Sequence, residues 1–216
     1  MKEVFKTVYE GGSGEFVMKK SRFIASVLPV ETEEAAIDFI ESLKKKYWDA
    51  SHNCSAYIIG NDSSLMRCSD DGEPSKTAGR PMLDVLLAHE LTNIVVVVTR
   101  YFGGTLLGTG GLVKAYQSAV IEGLNQSIII TKELGIQFLI TTDYNLIGKI
   151  QYFIGQEHIT TLSSEYTDLV KMTVLIPPSR QDFFIKKIAE LTNGSATLEV
   201  SGQVYFTLLN GEVHLF

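Results

Sequence analysis

Hydrophobic and polar positions change period several times along the chain, and each change marks an element. VFKTVYEG and EFVMKK alternate around GGSG, Gly11 to Gly14, which predicts a hairpin or two short strands. RFIASVLPV predicts a strand closed by Pro29. Thr32 then stands where an N-cap belongs, ahead of the helical stretch TEEAAIDFIESLKKKYW. That helix has acids in its first turn and Lys44, Lys45 and Lys46 in its last, as the macrodipole favours. NCSAYIIG predicts the next strand and NDSS a turn after it. Beyond Cys68 the loop SDDGEPSKTAGRP leads into a helix, MLDVLLAHEL, that ends before Asn93. NIVVVVTRYF is a nearly continuous β-branched run, too short for a membrane and typical of a strand covered on both faces. Apolar residues then recur at Leu112, Tyr116, Ala119, Val120 and Leu124, a helical period from Gly111 to about Ser127, and IIITKE predicts one more strand.

From Leu134 the pattern becomes a compact cycle. IQFLITT reads as a strand, YNLIGKIQYFIGQEH as a helix, ITTLSSEY and LVKMTVLIPP as two strands. SRQDFFIKKIAELTN follows as a helix and TLEVSGQVYFTLL as a final strand. That βαββαβ order is the ferredoxin-like arrangement. The expected fold class is therefore α+β in two domains, 1–132 and 133–216, with the boundary at the change near Glu133.

Composition narrows the function. Hydrophobic residues make up 45% and charged residues 20% of the chain, as in an ordinary globular protein. The net charge of −6 argues against a broad, non-specific grip on nucleic acid, so DNA specificity is not expected. Through Lys132 there are 14 basic and 16 acidic residues, and beyond it 5 and 9, so any anion site must be local. Cys54 and Cys68 lack CxxC spacing and suggest neither a zinc ribbon nor a disulfide framework. With no leader-like apolar segment and no long apolar stretch, the expected location is the cytoplasm.

Five glycines crowd the run from Gly103 to Gly111: Gly103, Gly104, Gly108, Gly110 and Gly111. A strand entering a glycine-rich loop that opens a helix can bind an anion, because free N–H groups converge where the helix dipole is positive. Arg100 just before the loop and Lys114 just after it could add charge, and Tyr101 and Phe102 have the composition of a stacking platform. The P-loop pattern is absent, and a dinucleotide fingerprint starting at Gly108 meets Val113 where its third glycine belongs. The alternative is that the glycines let the loop lie flat against its neighbours. The second dense stretch places Asp70, Asp71 and Glu73 within four residues. Such carboxylates could hold magnesium or calcium, with His52 as a further polar member. The competing expectation pairs one with Arg80 or Arg100, caps the helix after Thr77 with another and leaves the third solvated. A carboxylate aimed at the glycine-loop amides would join both loops into one surface. No GxSxG or HExxH pattern occurs, so no catalytic residue, metal or cofactor is assigned.

The strings SDDGEPSKTAGRPML and VVVVTRYFGGTLLGTGGLVKAY, with KKSRFIA and HNCSAY, resemble the IMPACT/YigZ family over about residues 1–130. The resemblance implies a two-layer βα first domain of the kind found in domain IV of elongation factor G, a ribosomal-protein second-domain-like fold. It implies a ferredoxin-like second domain, as in domain V of that factor. Eukaryotic members are translational regulators that compete for the activator of a stress kinase acting on initiation factor two. Mapped onto this chain, the motifs point to Asp70, Asp71, Gly72, Glu73, Pro74, Thr77 and Gly79, and to Arg100 through Lys114. The expected function is a non-enzymatic translation-associated regulator that binds the ribosome or RNA through the two loops, with no membrane partner. Two alternatives stay open: a protein-interaction regulator using the same surface, and an enzyme acting on a phosphorylated small molecule with Asp70, Asp71 or His52 as acid or base.

Overall fold

The β-branched run becomes β6 (Ile94–Tyr101), the middle strand of an antiparallel sheet. The computed structural model describes residues 2–216, which divide into two compact units, 2–131 and Lys132–Phe216. In the first, after β1 (Val4–Glu10), come β2 (Ser13–Met18), β3 (Ser21–Pro29), α1 (Glu33–Lys46), β4 (His52–Ile59) and β5 (Leu65–Ser69). Then follow α2 (Gly79–Ala88), β6 and α3 (Gly108–Asn125). The strands lie in the order β2-β3-β6-β4-β5. β5 was not expected from the sequence.

Strand alternation sorts the side chains of this sheet onto two faces. Phe23, Ala25, Val27, Cys54, Ala56, Ile58, Val96 and Val98 pack with Met82 and Leu86 of α2 and with Ala115, Tyr116 and Ala119 of α3. Val95, Tyr57 and Ile59 point the other way, onto Ala36, Phe39 and Ile40 of α1. Helices therefore lie on both faces, where the family resemblance implied two layers. The unbroken run Val95–Val98, fully buried, is what a strand covered twice requires.

α1 starts as its cap predicts, with the Thr32 hydroxyl accepting the Ala35 N–H at 3.2 Å. Of the two expectations for the stretch around GGSG, the two short strands hold, as β1 and β2, and the hairpin lies elsewhere. β2 pairs with β3 around Lys19 and Lys20, both at positive φ (46° and 66°), so GGSG is not a turn. Glycine there marks close packing, since a Cβ on Gly11 would sit 2.0 Å from the Val27 carbonyl oxygen.

The second unit contains most of β7 (Ile128–Thr142), then α4 (Ile147–Gln156), β8 (Thr160–Tyr166), β9 (Val170–Ile176), α5 (Gln181–Thr192), β10 (Thr197–Leu209) and β11 (Glu212–Leu215). IIITKE and IQFLITT, expected as two strands, are the single long β7. The antiparallel sheet runs β11-β10-β7-β9-β8, and β11 is a further strand the sequence did not announce. Ile136, Phe138, Ile140, Met172, Val174 and Ile176 face Ile150 and Phe153 of α4 and Phe184 and Ile188 of α5, while Gln137, Leu139 and Thr141 stay half-buried on the other face.

Candidate functional site

The two loops singled out in the sequence meet at one end of the first sheet. Register places Arg100 opposite both Phe23 and His52, and Tyr101 opposite Arg22. Arg100 shares the inward face with Val96 and Val98, and its side chain is only 7% exposed. Its Nη1 donates to Oε1 of Glu73 at 2.6 Å, where the carboxylate side chain is 3% exposed. The Tyr116 hydroxyl, from α3, donates to the same Oε1 at 2.8 Å. Phe23 and Phe102 lie 5.4 and 5.7 Å from the guanidinium, and Arg100 Nε is buried without a partner. One carboxylate of the acidic loop thus joins β6 to α3 in a dry environment, where losing either ionic partner is costly.

The other two acids have different tasks. Asp70 Oδ1 accepts from the N–H groups of Ala78 and Gly79 at 3.0 and 2.8 Å, and Oδ2 from Lys76 N–H at 2.8 Å. It caps α2 from eight residues upstream, satisfying donors that the helix start leaves open. Asp71 Oδ2 accepts the Asn53 N–H at 2.7 Å, and Lys44 Nζ lies 3.6 Å from its other oxygen. His52 Nδ1 bonds to the Asp71 carbonyl at 2.8 Å, with Nε2 3.9 Å from Glu73. Thr77 is buried and donates to the Pro74 carbonyl at 2.6 Å, closing the loop on itself. Asp71 is therefore bonded where a solvated acid was expected, and no loop carboxylate reaches the glycine amides. Glu73, Arg100 and Tyr116 tie the two loops instead. Among the described residues no group of three metal-ligating side chains converges.

The glycines divide by role. Gly103 N–H donates to Ser21 Oγ at 3.1 Å, and a Cβ at Gly103 would stand 2.1 Å from the Lys20 carbonyl carbon. That glycine is required for packing. Gly104 and Gly108 adopt φ of 82° and 73°, conformations that favour glycine. A Cβ at Gly104, Gly108 or Gly110 would meet nothing within 4 Å, so the surface beside them is open. α3 begins at Gly108, three residues ahead of the expected start. Gly110 and Gly111 therefore lie in its first turn and exposed Lys114 in its second. Among the described residues no side chain caps this helix, and Gly108, Thr109 and Gly110 are exposed. Around them stand Phe102, half-exposed, and Leu106, 83% exposed; Lys19 and Lys20 are exposed on the turn that touches Gly103. Tyr101 points to the opposite face and donates to Asp49 at 2.9 Å.

Three contributors were missed in the sequence. Tyr116 was read only as a core position of a helical period. Ser21 entered only as part of the string KKSRFIA, with no role given to it. Cys54 lies 3.0 Å from the Asp70 carbonyl and 3.3 Å from the Tyr116 hydroxyl. Burial pushes both the Cys54 thiol and the Tyr116 hydroxyl well above their usual pKa, so both stay protonated and serve as donors.

A helix-covered antiparallel sheet whose acidic loop braces an open glycine turn, followed by a βαββαβ unit with one added strand, defines a two-part α+β protein. Residues 19–124 match the Impact N-terminal domain, and residues 140–195 match a domain of unknown function, DUF1949. The chain is 40% identical over 199 residues to the IMPACT family member YvyE of Bacillus subtilis, covering 92% of each. It is 38% identical over 183 residues to the IMPACT family member YigZ of Escherichia coli, covering 84% of this chain and 90% of YigZ. A crystal structure of a hypothetical protein superposes with a TM-score of 0.60 at 35% identity, covering 93% of this chain and 98% of the other. The chain belongs to the IMPACT family. No helix among the described residues is long and apolar enough to cross a membrane.

Proposed function

We propose that this chain is a non-enzymatic, translation-associated regulator that binds ribosomal RNA through the glycine-loop end of its first unit. The observation that carries this is the uncapped start of α3. Its exposed glycine amides are flanked by Lys19, Lys20 and Lys114, none of which makes an ion pair among the described residues. Free N–H groups at a helix N-terminus, with unpaired ammonium groups around them, suit phosphate oxygens. The roles within the expected site shift accordingly. Arg100, Glu73, Thr77, Asp70, Asp71 and His52 shape and brace the surface, while Gly104, Gly108, Gly110, Gly111, Lys114 and Phe102 meet the ligand. The strand order β10-β7-β9-β8 supports a ferredoxin-like second unit, while kinship of the first unit with domain IV of elongation factor G has to accommodate α1 on the second face of the sheet; such a fold analogy does not carry function.

The enzyme alternative finds less support. Asp70, Asp71 and His52 are each engaged in bonds that hold the loop. A pocket of about 420 Å³ lies in the second unit beside Tyr152 and Lys187 and contains none of them. Ribosome co-sedimentation across a salt series tests the proposal. Wild type is expected to pellet with ribosomes at low salt, with log affinity falling against log salt by a slope of roughly two to three, as a few phosphate contacts dictate. Lys19→Ala with Lys20→Ala and Lys114→Ala, all at exposed positions, should keep the fold and abolish most of that binding. Absence of pelleting at low salt would sink the proposal, and binding to a nuclease-resistant protein fraction would favour the protein-interaction alternative.

A further inference from the structure

Trp48 is the chain's single tryptophan and is 83% exposed. A single exposed ring is not a site by itself; what sets this one apart is the fixed turn beneath it and the cations beside it. The turn around it, by contrast, is held on both sides of the tryptophan. Tyr47 N–H donates to Leu43 O at 2.8 Å, Ala50 N–H to Tyr47 O at 3.0 Å, and Ser51 N–H to the Arg100 carbonyl at 2.9 Å. Asn53 Nδ2 donates to Tyr47 O at 3.5 Å, and Asp49 accepts from the Tyr101 hydroxyl. The turn is thus fixed to β6 at the residues that enter the glycine loop, while the indole projects into water. A fixed backbone under a free aromatic face lowers the ordering cost of binding.

The surroundings indicate what the ring meets. Lys44 is balanced by Glu41 at 3.5 Å and Asp71 at 3.6 Å, but Lys45 and Lys46 are exposed and outside any ion pair among the described residues. Lys46 Nζ lies 5.0 Å from the Tyr47 ring centroid. An indole meant for a protein pocket is normally set among apolar neighbours. Here the adjoining residues are Tyr47, whose ring carries the Lys46 ammonium, the exposed Lys45, and an aspartate held by Tyr101. A flat π-face beside ammonium groups fits a stacked base with its phosphates. We propose that the Tyr47–Ala50 turn is a stacking site for an unpaired base of single-stranded RNA, with Trp48 as the platform and Lys45 and Lys46 contacting the flanking phosphates. This rests on the RNA-binding function above and adds to it a second contact and a strand preference.

The full chain offers its own probe, because its tryptophan fluorescence comes from Trp48 alone. Titration with short oligouridylate and oligoadenylate should quench that emission, and a blunt RNA duplex of equal length should not. With end-labelled single strands, Trp48→Ala is expected to weaken binding roughly 5- to 150-fold, the loss of one base stack, and Trp48→Phe to restore much of it. Lys45→Ala with Lys46→Ala should reduce the salt slope by about 1.4, the value for two phosphate contacts on a single strand. Equal binding by wild type and Trp48→Ala, with unquenched emission, would overturn the stacking site and leave the glycine-loop contact standing. Absence of binding to any RNA together with failure to pellet with ribosomes would overturn both. Loss of ribosome pelleting in Trp48→Ala without affinity for isolated RNA would assign the turn to a protein surface and overturn this inference alone.

Discussion

Glu73→Ala is expected to destabilise the first unit by about 3–5 kcal/mol, the range for removing one partner of a buried ion pair. The carboxylate is almost wholly enclosed and takes bonds from both Arg100 and Tyr116. Its removal strands a guanidinium whose Nε already lacks a partner, and leaves a tyrosine hydroxyl without its acceptor. Urea unfolding followed by circular dichroism measures the change. Glu73→Ala combined with Arg100→Met should regain most of the loss, since the stranded charge is then gone and an apolar chain fills its place. A cost below about 1 kcal/mol, the value of an exposed pair, would mean that water reaches this pair and that the brace between the loops is weak.

Two alanine substitutions in the glycine run should move stability in opposite directions. At Gly103 the new methyl would stand 2.1 Å from the Lys20 carbonyl carbon and 2.2 Å from the Ser21 nitrogen. Both are backbone atoms that no rotamer change can move, so β6 and the β2–β3 turn must separate, at a cost of about 3 kcal/mol. At Gly110 the methyl meets nothing within 4 Å inside the first turn of α3. There alanine should stabilise by roughly 0.5–1 kcal/mol through helix propensity while hindering access to the exposed amides. Gly110→Ala is thus expected to be as stable as wild type or more so, yet to pellet less with ribosomes. Urea midpoints and co-sedimentation on the same preparations decide it. A Gly110→Ala protein that unfolds early, or binds unchanged, would remove the amides from the site.

Much of the fold was legible because local signals agreed with the tertiary outcome. Thr32 capped α1, and the unbroken β-branched run of β6 announced a strand covered on both faces. That same run hid the orientation of Arg100. With both faces buried, polarity does not alternate, and only the register shows Arg100 beside Val96 and Val98 on the inner face. The β2–β3 hairpin was missed because its turn uses Lys19 and Lys20 at positive φ rather than the Asn-Gly or Gly-containing pairs that usually signal it. The nearby glycines drew attention to the wrong place, since Gly11 marks a close approach to Val27.

In the candidate site, the residue types were legible but their division of labour was not. Three acids within four residues look equivalent in sequence. Gly72, at φ 87°, and the turn from Asp70 O to Glu73 N–H send them to a helix start, a strand end and a buried arginine. Lys114 looked like a first-turn residue because α3 was expected to begin at Gly111. Starting at Gly108, the helix carries its glycines in the turn that faces solvent.

The most direct test of the central claim is hydrogen exchange along residues 103–111 in the free chain and in the ribosome-bound chain. The amides of Gly104, Gly108, Thr109 and Gly110 should exchange rapidly in the free protein and slow markedly on the ribosome, as N–H groups do when they bond phosphate, whereas the Gly111 N–H is already held by the Leu107 carbonyl in the first turn of α3. Co-sedimentation with these amides still exchanging at the free rate would show that the chain binds through another surface and would contradict the account.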